Sequence, residues 1–159
     1  QRYFVGRRAE PKVSEVNYVG AEVAEASPGL LRALDKSTLL VFCPSNPYLS
    51  LGPILALPGI RQAMKNFNGK RVCVSPIVGN DAVKGPAGKI MAELGKEVSS
   101  VEIARQYQDI CDVFVVDYRD ENLVCQIEEM GIMPLVTSTI METEEDKVVL
   151  AKEILALVE

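Results

Sequence analysis

The chain has 159 residues, 48% of them apolar and 25% charged, the proportions of an ordinary domain that buries roughly 70% of its unfolded surface without staples. Its 17 basic and 22 acidic side chains leave a net charge of −5, which argues against bulk attraction to nucleic acid or an anionic membrane. It has no His, so imidazole triads, His-ligated metals and imidazole proton relays are excluded.

The first 38 residues are expected to be irregular. Tyr3-Phe4-Val5 and Val13 to Val19 suit two short strands around the polar turn Gly6 to Pro11. Pro28 to Leu34 suits a short helix, with Ser27 at its N-cap and Pro28 in its first turn. From Leu39 the pattern becomes regular. Residues 39–43, 71–75, 113–117 and 133–137 are short runs with β-branched or aliphatic side chains on successive positions, as in strands buried on both faces. Pro134 places the last of them at a sheet edge.

Helical patterns separate the strands. Ser99 and Glu102 have capping-box spacing ahead of Ile103, Ala104, Tyr107 and Ile110. Leu123, Val124, Ile127 and Met130 form a stripe closed by Gly131. Thr143 and Asp146 open a last helix whose Val148, Leu150, Ala151, Ile154, Leu155 and Val158 can pack inward. Strands alternating with helices imply right-handed crossovers and a mostly parallel sheet. The expected fold is therefore α/β: three-layer, Rossmann-like, with an irregular N-terminal β/short-helix segment. It reads as one α/β unit over 1–159, with 1–38 an irregular or inserted segment and 39–159 the parallel β-α repeats.

Cys43, Cys73, Cys111 and Cys125 form no C-x-x-C pair, so neither a zinc ribbon nor a thioredoxin-type motif is supported. Cys43, Cys73 and Cys111 lie in or beside apolar runs and read as small hydrophobes. The N-terminus lacks a signal-peptide apolar block, and no apolar run approaches the ~20 residues of a membrane span. A cytoplasmic protein is expected.

Two loops carry the chemistry. Pro44-Ser45-Asn46-Pro47-Tyr48-Leu49-Ser50-Leu51-Gly52-Pro53 follows the first strand, and Pro76-Ile77-Val78-Gly79-Asn80-Asp81-Ala82-Val83-Lys84-Gly85-Pro86 follows the second. Both end in Gly-Pro before a helical pattern, and both leave the carboxyl ends of strands, where open α/β sheets bind ligands. Helices starting at Pro53 and Pro86 would leave the amides of Ile54 and Leu55, or Ala87 and Gly88, free for an anion. Lys84 adds a point charge, and Ser45, Asn46, Ser50 and Asn80 add short polar groups. The arrangement suits a diphosphate or a nucleotide phosphate, although neither loop is a Walker A or G-x-G-x-x-G sequence.

At 43–61 (CPSNPYLSLGPILALPGIR) and 74–95 (VSPIVGNDAVKGPAGKIMAELG) the chain resembles the 2-phospho-L-lactate transferase (CofD) family. The resemblance extends to YFVGRRAEP at 3–11, to Glu97-Val98-Ser99 and to Thr139-Ile140-Met141. It implies a transferase of coenzyme F-420 biosynthesis. Such an enzyme moves a phospholactyl or phosphoenolpyruvyl group from a guanosine-diphosphate-activated donor to the deazaflavin FO and releases GMP. Mg²⁺ is the implied cofactor and a homodimer the implied assembly. By matching position, Ser45, Asn46, Ser50 and Gly52, with Gly79, Asn80, Lys84 and Gly85, are the candidate donor contacts. Which loop holds phosphate and which holds base or acceptor is left open.

The chain also departs from the family. Members begin with a strand and a Gly-Gly-Thr-Gly-type loop followed by acidic residues, none of which occurs here. A chain that opens on Gln1 is therefore expected to be the C-terminal half of such an enzyme, inactive alone, with its catalytic and metal-binding residues elsewhere. Thr137-Ser138-Thr139 stands where the family usually has Thr-Asp-Thr, so Ser138 cannot serve as an anionic ligand. Asp81 and Asp117 remain as acidic groups near strand ends, and Arg2, Arg7 and Arg8 read as a solvated turn. The alternative is a nucleotide-sugar-binding regulator of the related gluconeogenesis-factor group, which lacks the first loop's run. A sheet missing strands would also expose an unpaired edge and favour self-association.

Overall fold

The computed structural model describes residues 2–158; Gln1, and the expectation attached to it, lies outside the described residues. Four parallel strands, β1 (Leu39–Phe42), β2 (Lys70–Val74), β5 (Val113–Asp117) and β6 (Met133–Thr137), form one sheet in the order β1-β2-β5-β6. A hairpin of β3 (Ile77–Val78) and β4 (Asp81–Ala82) stands apart from it. The strands fall within a residue of the apolar runs. All five residues of β5 are buried, as a central parallel strand requires. Pro134 lies on β6 at the sheet's edge, where its missing N–H breaks no ladder.

Each strand presents alternate side chains to two faces. Phe42, Cys73, Phe114 and Val116 point to one face and meet Ile60, Met64, Met91, Ile103, Tyr107 and Ile127. Those residues come from the connecting segments that hold α3 (Ile60–Lys65), α4 (Ala87–Glu93), α5 (Ser100–Tyr107) and α6 (Val124–Glu128). Val72, Val74, Val113 and Val115 point to the other face and meet only Leu150 and Ile154 of α7 (Glu144–Leu155) among fully buried helical side chains. The result is a three-layer α/β arrangement with unequal outer layers. Right-handed crossovers explain the asymmetry, because strands added in one direction put their connections on one face.

Local signals account for several helix ends. Ser27 accepts from the Gly29 amide and starts α1 (Pro28–Lys36). Thr143 and Asp146 form a reciprocal capping box at α7. At α5 only half of the expected box exists: Ser99 accepts from the Glu102 amide, while the Glu102 carboxylate turns to Arg105 and Lys96. Gly131, with φ of 77°, closes the turn after α6.

Three expectations need correction. The strands at 3–5 and 13–19 do not form. Arg2–Gly6 is a π-type turn, and 13–19 is irregular. With no partner strand, this segment is held by point contacts, the Val13 amide to Glu93 (2.8 Å) and the Pro11 carbonyl accepting from Lys89 (2.9 Å). On α7 only Leu150 and Ile154 are buried, because a single helix laid on a sheet hides one narrow stripe; Val148, Ala151 and Leu155, and Val158 beyond the helix, remain exposed. Cys73 and Cys111 are buried, whereas Cys43 follows the end of β1 and is exposed.

Candidate functional site

The first loop does not start its helix at Pro53. A helical run begins at Pro47 as a π-type turn, Pro47–Leu51, and continues into α2 (Gly52–Leu55). Asn46 caps it: its Oδ1 accepts from the amides of Tyr48 (2.9 Å) and Leu49 (3.0 Å). Ile54 and Leu55 thus lie a full turn inside the helical run and are not its free first amides. Gly52 is explained by packing, since a Cβ there would overlap the Tyr18 hydroxyl and lie 2.8 Å from the Pro47 carbonyl oxygen. Tyr18 in turn donates to the Tyr48 carbonyl at 2.7 Å.

The second loop folds as the β3–β4 hairpin. Gly79 (φ 58°) and Asn80 (φ 65°) are its two central residues, both left-handed, the requirement of a type I′ turn. The Gly79 amide donates to Asp120 (3.0 Å), which ties the turn to the segment after β5. Beyond the hairpin the chain reaches Lys84, then Gly85 with φ of 74°, and Pro86 stands at the N-cap of α4. Ala87 and Gly88 are both buried; Ala87 lines a small cavity beside the loop, and a Cβ on Gly88 would meet Val98 at 3.2 Å.

Between the loops lies a cavity of about 470 Å³ lined by Tyr3, Phe4, Asn46, Leu49, Ser50, Lys84, Gly85 and Pro86. Four of the eight candidate residues, Asn46 and Ser50 from one loop and Lys84 and Gly85 from the other, therefore share one wall. Ser45, Gly52, Gly79 and Asn80 do not line it. A smaller cavity of about 120 Å³ adjoins through Asn46 and Lys84 and is bounded by Pro44, Ser75, Thr139 and Met141. The larger depression near Ser37, Gly69 and Asp112 lies at the amino ends of the strands, the end that open α/β sheets do not use for ligands.

Two of the residues that line the cavity carry side-chain N–H donors. Lys84 is exposed and pairs with no carboxylate among the described residues. Asn46 spends both lone pairs of its Oδ1 on the helix cap, so its Nδ2 is turned away as a donor. That nitrogen is buried and has no hydrogen-bond partner among the described residues, a state that costs about 1–3 kcal/mol until a ligand or water accepts from it. The sequence pattern suits a strand at Tyr3 and Phe4 and does not reveal their place in the wall. Phe4 lies 3.9 Å from where a Cβ on Gly85 would be. The signal available was a pair of aromatic residues in an otherwise polar, unpatterned segment.

The buried carboxylates have structural partners. Asp117 accepts from the amides of Arg119 (3.2 Å) and Thr139 (2.9 Å) and from the Thr139 hydroxyl, which fixes Thr139 at the smaller cavity. Burial pushes the Asp120 carboxyl above its ordinary range; the Gly79 amide opposes this and nearby Asp117 adds to it. Burial also pushes Glu102 upward, but hydrogen bonds from Arg105 and Lys96 outweigh it and hold the carboxyl below its usual range. Asp81 is exposed and accepts from the Ala82 amide. Ser138 is exposed, and so are Arg2, Arg7 and Arg8, none of which lines either cavity. Mg²⁺ takes oxygen ligands, chiefly carboxylates and phosphates. No carboxylate lines these cavities, and no group of three or more Cys, Asp or Glu suited to a metal occurs among the described residues. The residues present do not fit a Mg²⁺ site.

The family model for 2-phospho-L-lactate transferase CofD matches residues 1–154. The chain belongs to this family. Among curated relatives, it is 43% identical to the 2-phospho-L-lactate transferase of Methanosarcina mazei, across 96% of this chain and 50% of that protein. With the protein of the same name from Methanocaldococcus jannaschii it shares 42% identity, over 96% and 48%. With the phosphoenolpyruvate transferase of Streptomyces griseus it shares 37%, over 100% and 50%. The chain thus spans about half the length of the curated relatives it matches. In fold it is similar to a solved UPF0052-family protein, BH3568 of Bacillus halodurans, with a TM-score of 0.56 and 17% identity over 86% of this chain and 48% of that one. No helix among the described residues is long and apolar enough to cross a membrane.

Proposed function

We propose that this CofD-family chain supplies the donor-binding wall of a phospholactyl- or phosphoenolpyruvyl-transferring enzyme. The observation that carries the reading is the buried, unpartnered Asn46 Nδ2 beside the unpaired Lys84, on the wall shared by the two loops. A guanosine-diphosphate-activated three-carbon acid is anionic along its whole diphosphate. Lys84 attracts that charge, Asn46 Nδ2 and the Ser50 hydroxyl donate to its oxygens, and Gly85 leaves the backbone open to close approach. Tyr3 and Phe4 give the same wall an apolar, planar portion.

In the reaction, the hydroxyl of the deazaflavin FO attacks the phosphorus that bears the three-carbon acid. The bond from that phosphorus to the GMP oxygen breaks, GMP leaves with the electron pair, and the hydroxyl loses its proton. Charge accumulates on the phosphoryl oxygens, so oriented donors accelerate the step more than covalent participation would. This chain contributes orientation through Asn46, whose cap bonds prevent rotation, and charge through Lys84. Mg²⁺ would need ligands that this chain does not bring to the cavity. The base that takes the proton also lies outside the groups described here, so the chain alone is expected to bind donor without turning it over.

Calorimetry with GDP tests the reading. The chain should bind GDP, and Lys84→Met and Asn46→Ala should each weaken binding about tenfold, the loss of one charge-assisted or buried hydrogen bond. GDP binding indifferent to both substitutions, or a preference for UDP-sugars, would overturn it. Steady turnover of donor and FO by the chain alone would sink the half-enzyme part.

A further inference from the structure

We infer that Asp120 is a positioning residue of the donor wall: through the turn of the β3–β4 hairpin it fixes where Lys84 stands beside the cavity. Asp120 lines neither cavity. Its part in donor binding, which rests on the donor-binding reading of Lys84, is therefore exerted through the backbone.

The hairpin cannot hold itself. Its ladder pairs only Ile77 with Ala82 and Val78 with Asp81, and an isolated two-stranded hairpin is marginal in water. A two-residue turn closes with a bond between its outer residues, which leaves the Gly79 amide without a partner inside the hairpin. Asp120 supplies one, since its Oδ1 accepts from that amide at 3.0 Å. The base of the hairpin is fastened to the sheet. There the Ser75 amide donates to the Val115 carbonyl (2.9 Å) and the Ser75 hydroxyl donates to the Ile77 carbonyl (2.7 Å). The hairpin is thus held at its base by β5 and at its tip by the segment that follows β5.

Asp120 is a firm anchor. It sits in a turn of 3₁₀ helix, Tyr118–Leu123, directly after β5, and Asp117 caps that turn by accepting from the Arg119 amide (3.2 Å). It is 2% exposed. Its Oδ1 serves the Gly79 amide, and its Oδ2 has no hydrogen-bond partner among the described residues. Burying a carboxylate with an unmet oxygen is costly, and the bond to the turn is what that cost maintains.

The position of the hairpin passes directly to Lys84. The Val83 amide donates to the Pro76 carbonyl (3.3 Å), which prolongs the hairpin to the residue before Lys84. Gly85 (φ 74°) then turns the chain, and Pro86 is the N-cap of α4, whose Ala87 and Gly88 are buried. A Cβ on Gly88 would lie 3.5 Å from both the Ala82 amide nitrogen and Asp81 Oδ1, so α4 packs against β4. Lys84 and Gly85 therefore bridge two anchored elements. Releasing the tip frees β4 and Val83, and the lysine must then be ordered at the moment of binding, which weakens affinity.

Calorimetry with GDP, and hydrogen exchange followed by NMR, test the proposal. Asp120→Ala should weaken GDP binding about fivefold to tenfold. It should also speed exchange of the Gly79 and Val83 amides, while the Ser75 amide exchanges as in the unsubstituted chain. In a Lys84→Met background the same substitution should cost less than about twofold, because residues that act through one another are not additive. Asp120→Asn keeps an oxygen for the Gly79 amide and should bind GDP within about threefold of the unsubstituted chain. Circular dichroism checks that each variant folds; if Asp120→Ala does not, Asp120→Ser, whose side chain falls short of the amide, carries the same expectations. Unchanged Val83 exchange, a full effect in the Lys84→Met background, or an Asn variant as weak as the Ala variant would each overturn the proposal. Exchange is read without nucleotide, so it decides the role of Asp120 even if the chain binds no GDP, an outcome that would sink the donor-binding reading.

Discussion

Gly52 separates a ligand-contact glycine from a packing glycine, and Gly52→Ala decides between them. A Cβ at this position would overlap the Tyr18 hydroxyl, lie 2.7 Å from Tyr18 Cζ and stand 2.8 Å from the Pro47 carbonyl oxygen. Tyr18 is a side chain and can swing aside, at the loss of its bond to the Tyr48 carbonyl, about 1 kcal/mol. The Pro47 carbonyl is backbone within the capped turn and cannot retreat without disturbing it; forced overpacking of this kind costs about 1–3 kcal/mol. Alanine recovers about 0.5–1 kcal/mol of helix preference. The balance is a destabilisation of about 2 kcal/mol, or roughly 4–8 °C in Tm for a chain of this size. Thermal melts followed by circular dichroism measure it, and Tyr18→Ala in the same chain should remove only part of the penalty, because the Pro47 contact persists. An unchanged Tm accompanied by weakened GDP binding would refute the packing account and restore Gly52 as a ligand contact.

Two pH-dependent outcomes follow from the carboxylates. Hydrogen bonds from Arg61 outweigh partial burial, and with Lys65 they lower the Asp109 carboxyl to about 2. Its stabilisation is complete above the ordinary Asp pKa and is lost as pH falls toward 2; discounted for solvent screening it is worth about 1 kcal/mol. Asp109→Asn should therefore lower Tm at pH 7 and converge with the unsubstituted chain near pH 2, and a constant difference at both pH values would contradict this. Asp120 has the opposite sign. Its raised carboxyl means that the folded chain holds a proton more tightly than the unfolded one, so its contribution falls as pH rises past the ordinary Asp value. Asp120→Asn, which keeps an oxygen for the Gly79 amide, should raise Tm at pH 7 and leave it unchanged at acid pH; a loss of stability at pH 7 would show that the carboxylate charge is needed.

The sheet was legible because its strands are buried on both faces, which forces continuous apolar runs that no loop imitates. The helix caps were legible for a similar reason, since Ser27, Ser99 and Thr143 each act within three residues of themselves. What escaped depends on contacts distant in sequence. Gly-Pro at 52–53 has the form of a helix start, yet Asn46 begins the helix earlier and Tyr18, from another segment, makes the glycine necessary. Gly79 and Asn80 suited a phosphate loop and also suit a two-residue turn; only the pairing of Ile77 with Ala82 decides the local fold. Tyr3 and Phe4 join the cavity through a turn with no periodicity to reveal it.

The same contrast explains why the site appears as a wall and not as an enclosed pocket. Residues that act locally, such as the Asn46 cap, are complete within this chain: both cap bonds are made. Residues that need distant partners are not. Asn46 Nδ2 is an unmet donor, Lys84 an unmet charge, and β1 an unmet strand edge, and all three lie toward the carboxyl end or the free side of β1. An isolated α/β module with no further partner would have reason to bury or neutralise each of them, since an orphaned donor and a bare apolar edge are both costly. They concentrate toward the carboxyl end or free side of β1, whereas on the α3–α6 face Phe42, Cys73, Phe114 and Val116 are buried against helical side chains.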